Sequence, residues 1–132
     1  MDHTQIDSFI TRYMAMWHEP DAQRRHAIVR SLWAEDAENI TRRFSAHGMA
    51  EIIARVDRAH HEWVADRHFI FRPRSGAGAA GAVDAHNQLV KFSWEMLPRD
   101  GGAIEARGLD VFQLRQDGRI GALYQFAEPI DA

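Results

Sequence analysis

Residues 5–17 carry Ile6, Phe9, Ile10, Tyr13, Met14 and Trp17. Steps of three and four put them on one stripe of a helix, and the segment predicts a first amphipathic helix. Thr4, followed three residues on by Asp7, has the form of a capping box with Asp in place of Glu. The stretch "HEPDAQRRHAIVRSLW" predicts a second helix. Pro20 and Asp21 suit its first turn, and Ile28, Val29, Leu32 and Trp33 form its apolar face. Residues 37–41, "AENIT", predict a short strand. A third helix is predicted over residues 49–63, with Met49, Ile52, Ile53, Val56, His60 and Trp63 on its stripe. His60 lies on that stripe and His61 is turned about 100° away, so the two cannot serve one site.

From His68 the period changes to two. "HFIFR" is followed by the loop "PRSGAGAAGAVDAHN", whose end is a short extended piece and a turn. Strands are then predicted over residues 89–97, 103–114 and 120–126, separated by "PRDGG" and "QDG". Helices first and antiparallel strands afterwards define an α+β fold. The last turn, "RQDGR", fits a three-residue loop with Gly118 in the left-handed conformation. Counting outward pairs Leu114 with Ile120, Phe112 with Ala122 and Asp110 with Tyr124. A two-residue Asp-Gly loop would instead pair Asp110 with Gln125. The first register gathers Phe112, Leu114, Ile120, Tyr124 and Phe126 on one face and is preferred. It leaves Leu109, Val111 and Leu123 on the other. A sheet apolar on both faces calls for a second cover, and a homodimer through the face bearing Val111 and Leu123 is expected.

The 132 residues suit a single domain, 1–132. A net charge of −3 gives no bulk attraction to nucleic acid or anionic lipid. The absence of cysteine excludes disulfides, thiolate metal sites and a cysteine nucleophile. The N-terminal stretch has no basic region ahead of an uninterrupted apolar run, so no signal peptide is expected. No stretch approaches the roughly 18 apolar residues of a membrane span. A soluble cytoplasmic protein without membrane or nucleic-acid partners is the expectation.

Candidate chemistry narrows to a few residues. "GAGAAG", residues 76–81, matches G-x-G-x-x-G by letter, but a dinucleotide site needs a helix after it, and "AVDAHN" is not one. The eight histidines include no pair at i, i+4, and no metal is expected. No Gly-x-Ser-x-Gly elbow is present. His60 is either a core histidine bonded to backbone or a pocket residue, and His68 either a solvated strand end or a pocket residue; in the pocket alternative they join Asp110 as the catalytic candidates. Asp110 stands on an otherwise apolar row. It is either a pocket acid or a carboxylate satisfied by the Tyr124 hydroxyl or Arg107. Burial would raise its pKa more than one hydroxyl would lower it. A closed-ended apolar cavity of a few hundred Å³ is expected, lined by Trp94, Phe112, Tyr124 and Phe126, with Trp17, Trp33 or Trp63 completing it from the helices.

The order of segments "YMAMWHEPDAQRRHAIVRSLWAEDAE", "HGMAEIIARV", "LVKFSWEM", "ARGLDVFQL" and "DGRIGALYQF" resembles the nuclear transport factor 2-like superfamily, in its SnoaL-like, polyketide cyclase-like branch. The resemblance spans nearly the whole chain. It implies a cone-shaped, curved, mostly antiparallel sheet on three helices, as in cystatin-like folds, with an apolar pocket and frequent dimerisation through the sheet. It also implies cofactor-free chemistry on cyclic or aromatic oxygenated substrates, as in cyclases, isomerases and dehydratases, although other members only bind ligands. Asp110 matches the aspartate of the "G-x-D-x-F" strand, the acid/base of the cyclases. His68 lies near a pocket histidine of some members. Trp94, Phe112, Tyr124 and Phe126 match wall positions. Thr41 stands where isomerase-like members carry an aspartate base, which argues against ketosteroid isomerase chemistry.

Overall fold

The computed structural model describes residues 2–74 and 82–130. The stretch "GAGAAG", read above as a loop, lies outside them. Helix α1 spans His3–His18 and starts two residues earlier than the Thr4 reading, because Asp2 and Gln5 form the box. The Asp2 side chain accepts from the Gln5 amide at 2.8 Å and the Gln5 side chain from the Asp2 amide at 2.9 Å. Helix α2, Ala22–Leu32, is capped by Asp21, which accepts from the Arg24 amide. Strands β1 (Trp33–Ile40) and β2 (Ser45–His47) follow, then α3 (Gly48–Ala59), which widens into a π-helical segment, His60–Asp66. The remaining strands are β3 (Phe69–Pro73), β4 (Val83–His86), β5 (Leu89–Pro98), β6 (Ala106–Leu114) and β7 (Ile120–Glu128).

The seven strands form one curved, mixed sheet in the order β2-β1-β7-β6-β5-β3, with β4 paired to the first half of β5. Among the described residues only β1 and β7 run parallel. The inner sheet face and the helices share one core, in which Tyr13, Trp33, Phe92, Phe112 and Leu123 are fully buried. Thr41 closes the β1–β2 turn, its hydroxyl accepting from the Arg43 and Phe44 amides.

The register of β6 on β7 corrects the sequence reading. The turn itself is as counted: Gly118 has φ +86° and Leu114 pairs with Ile120. The next pair is Gln113 with Ala122, so Gly121 is an extra residue and forms a β-bulge. Every pair beyond it moves by one. Asp110 faces Gln125, Phe112 faces Leu123, Val111 faces Tyr124 and Leu109 faces Phe126. Tyr124 and Phe126 therefore stand on the outer face, 38% and 54% exposed, and Leu123 is in the core. A face bearing both Val111 and Leu123 does not exist.

Helices α2 and α3 are joined through Asp57. Its carboxylate accepts from Arg25 Nε at 2.9 Å and meets His26 Nε2 at 2.8 Å. Burial pushes this carboxyl up, but the bonds and charges of Arg25 and His26 outweigh it and hold it below the ordinary value. Arg25 is buried and also donates to the Glu19 carbonyl. Asp57→Ala leaves that guanidinium without its counter-ion and is expected to lower stability by about 2 kcal/mol in urea denaturation.

Candidate functional site

Asp110 is 1% exposed and lies on the inner row of β6, between Gly108 and Phe112. Three donors converge on it. The Tyr13 hydroxyl of α1 donates to Oδ2 at 2.6 Å, Trp94 Nε1 of β5 donates to Oδ1 at 2.9 Å, and Gln125 Nε2 of β7 reaches Oδ1 at 3.4 Å. The hydroxyl partner is thus Tyr13, not Tyr124. Burial raises the Asp110 pKa, and the bonds from Tyr13, Trp94 and Gln125 and the charge of Arg55 lower it; burial prevails and the group sits at about 6. Tyr13 is pushed well above its ordinary value, first by burial and then by the Asp110 charge.

The carboxyl borders a cavity of about 80 Å³, partly open to solvent and smaller than the few hundred Å³ expected. Its walls are mixed. Tyr13, Met14 and Trp17 come from α1, Arg55 and Ala59 from α3, Trp63 from the π-helical segment, and Phe71, Trp94, Asp110 and Gln125 from the sheet. Of the residues singled out in the sequence, Asp110, Trp17, Trp63 and Trp94 meet here. Phe112 does not line the space; its ring is packed edge-on to Tyr13 and Phe9 at 4.7 and 5.0 Å beneath it. Tyr124 and Phe126 are carried to the outer face by the bulge at Gly121. Trp33 is a core residue bonded to Met16 sulfur.

Neither predicted histidine is on the wall. His60 is buried with Nδ1 2.8 Å from the Trp17 carbonyl oxygen, the core alternative of the sequence reading. His68 is exposed at the head of β3, its backbone in the left-handed region at φ +59°. A third histidine, His18, joins α1 to β3: Nδ1 lies 2.7 Å from the Met14 carbonyl oxygen and Nε2 accepts from the Phe71 amide at 2.9 Å. Burial lowers its pKa, which suits the neutral ring this pattern requires. Among the described residues no group of three His, Asp or Glu could hold a metal.

Tyr13, Arg55 and Gln125 were missed. Arg55 had a readable signal, since it is three residues after Ile52 and four before Ala59 and so falls on the apolar stripe of α3. Tyr13 was counted as ordinary stripe, because nothing local ties it to a carboxylate 97 residues away.

An α+β fold of three helices against a curved mixed sheet, with a carboxyl at the base of a small cavity, defines the class: a nuclear transport factor 2-like architecture. Within it the chain has the SnoaL-like form. It superposes with a TM-score of 0.80 on a protein of the SnoaL-like family from Agrobacterium tumefaciens, provisionally described as an isomerase, at 27% identity over 96% of this chain and 99% of the other. A SnoaL-like protein of unknown function from Burkholderia thailandensis gives 0.72 at 13% identity, covering 98% and 99%. A protein from Sinorhizobium meliloti, provisionally described as a polyketide cyclase, gives 0.66 at 14% identity, covering 92% and 98%. The last two likenesses are of fold alone. No protein-family model matches the chain, and no curated protein does. No helix is long and apolar enough to cross a membrane among the described residues.

Proposed function

We propose that this protein carries out cofactor-free acid/base chemistry on a small cyclic or aromatic oxygenated molecule, with Asp110 as the proton-transfer group. Isomerisation is the simplest form, and cyclisation and dehydration use the same step. The observation that carries this is a buried carboxyl that borders a cavity, with its pKa raised to about 6. Near neutral pH such a group is mostly ionised yet holds a proton readily, so it can both take one from carbon and return it. Tyr13, Trp94 and Gln125 fix its orientation. The 27% identity to a SnoaL-like protein provisionally described as an isomerase supports the same reading. The test is hydrogen–deuterium exchange at the carbons beside the carbonyl of cyclohexenone and cyclohexanone, followed by NMR in D2O. Exchange faster than buffer alone is expected; rates equal to buffer for both probes count against catalysis.

A second reading, a non-catalytic ligand-binding or dimeric interaction module, is favoured in its dimeric form by one observation. The outer sheet face carries Tyr124 and Phe126, substantially exposed, beside Leu109 and Val111. An apolar face of this kind is self-complementary under a twofold axis, so a second copy of the chain is the occupant we infer. Sedimentation velocity at micromolar concentration is expected to give a dimer, and Phe126→Glu a monomer. A wild-type monomer overturns the assembly.

A further inference from the structure

Arg55 is a cation in the cavity wall whose charge none of the described residues neutralises by direct contact. The side chain is half-buried, and its Nε, fully buried, makes no hydrogen bond among the described residues. The guanidinium carbon lies over two rings, 4.7 Å from the centroid of Phe44 and 5.5 Å from that of Trp17. Rings of this kind hold a planar cation in place but do not satisfy its N–H donors. The Asp110 carboxylate borders the same cavity and attracts Arg55 electrostatically, but among the described residues its hydrogen bonds come from Tyr13, Trp94 and Gln125 and none from Arg55. A partly desolvated guanidinium left in this state is costly, and a planar oxyanion is the partner its fork geometry fits.

We propose that Arg55 is an oxyanion-binding residue, and that the ligand is a small planar molecule carrying a carboxylate, phenolate or enolate oxygen. The cavity of about 80 Å³ takes the polar edge of such a molecule, with the rest at its open side. Resting on the acid/base reading above, this assigns the second half of the reaction. The Asp110 carboxylate takes a proton from the carbon beside a ring carbonyl, and the C–H pair becomes a C=C bond. The carbonyl π pair moves to oxygen, and that oxygen carries the charge that Arg55 meets. For a ring carbonyl with a C=C bond between its β and γ carbons, the oxygen pair then re-forms C=O, the β–γ π pair takes the proton back from Asp110 at the γ carbon, and the C=C bond is left between the α and β carbons, with no net charge or redox change.

Two matched pairs of probes test it: benzoate against benzamide, and acetate against acetamide, each pair alike in shape and different in charge. Binding is read from the indole N–H shifts of Trp17, Trp63 and Trp94. The anion of at least one pair is expected to bind about tenfold or more tighter than its amide. Arg55→Met is expected to abolish that preference, and Arg55→Lys, with charge but no fork, to keep part of it. Circular dichroism reports whether the Met variant folds; if it does not, Arg55→Gln is measured in its place and must also lose the preference. Equal binding of anion and amide, absence of binding by every probe at millimolar concentration, or a preference that survives in the folded Met or Gln variant overturns the proposal. Asp110→Asn is expected to keep the preference or strengthen it, since it removes a competing negative charge. Anion preference without exchange in the wild type sinks only the catalytic reading. Exchange without anion preference sinks only the role of Arg55.

Discussion

Asp110→Asn is expected to slow proton exchange by about 100-fold or more while making the protein more stable at neutral pH. The substitution keeps the shape of the side chain and removes its titration. Trp94 can still donate to the amide oxygen, and the Tyr13 hydroxyl can turn to accept from the amide nitrogen. The stability gain follows from linkage. The folded-state pKa of about 6 lies above the ordinary 3.8, so the folded chain holds this proton more tightly than the unfolded one. Stability from this group is fully present below 3.8 and is lost as pH rises through 6. The difference of roughly two units is worth about 3 kcal/mol, the penalty wild type carries at neutral pH. Urea denaturation is expected to show the variant ahead by up to about 3 kcal/mol at neutral pH, narrowing to nothing in acid. A less stable variant whose exchange survives would make Asp110 a structural carboxylate.

The second large effect is expected from Gly108→Ala. Glycine within a strand is ordinarily unfavourable, and alanine there ordinarily stabilises. Here the sign reverses. A methyl group at Gly108 would stand 2.1 Å from Cζ2 of Trp94, 2.3 Å from Cε2 and 2.7 Å from Nε1, because the indole lies across the backbone of its cross-strand partner. The ring is stiff, so it must swing as a whole, and the N–H bond to Asp110 goes with it. Overpacking and one lost donor to a buried carboxylate together cost about 2–4 kcal/mol. Losing that donor also pushes the Asp110 pKa further up, so the acid limb of any pH–rate profile moves to higher pH. A Gly108→Ala protein as stable as wild type, with unchanged tryptophan fluorescence, would mean the indole does not depend on this space. The glycine of the "G-x-D" strand thus has a physical reason: it makes room for the ring that holds the aspartate.

What could be read from sequence follows the range of the forces involved. The apolar stripes of α1 and α3 and the alternation along β5 and β6 are local, and they located those elements and the inner row containing Asp110. The turn at Gly118 is local too, and its geometry was correctly derived. The bulge at Gly121 left no local trace, since a glycine in a strand is compatible with regular pairing. That one residue moved Tyr124 and Phe126 from the cavity to the outer face. The partners of Asp110 depend on packing between α1, β5, β6 and β7, and local patterning specifies none of them: alternation with Phe92 reads Trp94 as core, and its place on the cavity wall comes from the family resemblance alone. His60 was read correctly as lying on a buried stripe; its ring nitrogen is used by the Trp17 carbonyl, which helix periodicity cannot specify.

The bulge at Gly121 makes the pairing register of the last hairpin a chemical variable. Strand faces alternate with every residue, so a one-residue slip exchanges what faces Asp110. Were the bulge closed, with Gly121 paired to Gln113, Tyr124 would stand where Gln125 stands and Gln125 would turn outward. The cavity would trade an amide for a second phenol, and the outer face would lose aromatic rings. Deleting Gly121 would instead remove the bulge and keep Gln125 opposite Asp110. In a fold whose site is built from a curved sheet, the place where a strand takes up one unpaired residue decides which side chains meet the reacting atoms, with every wall residue unmutated.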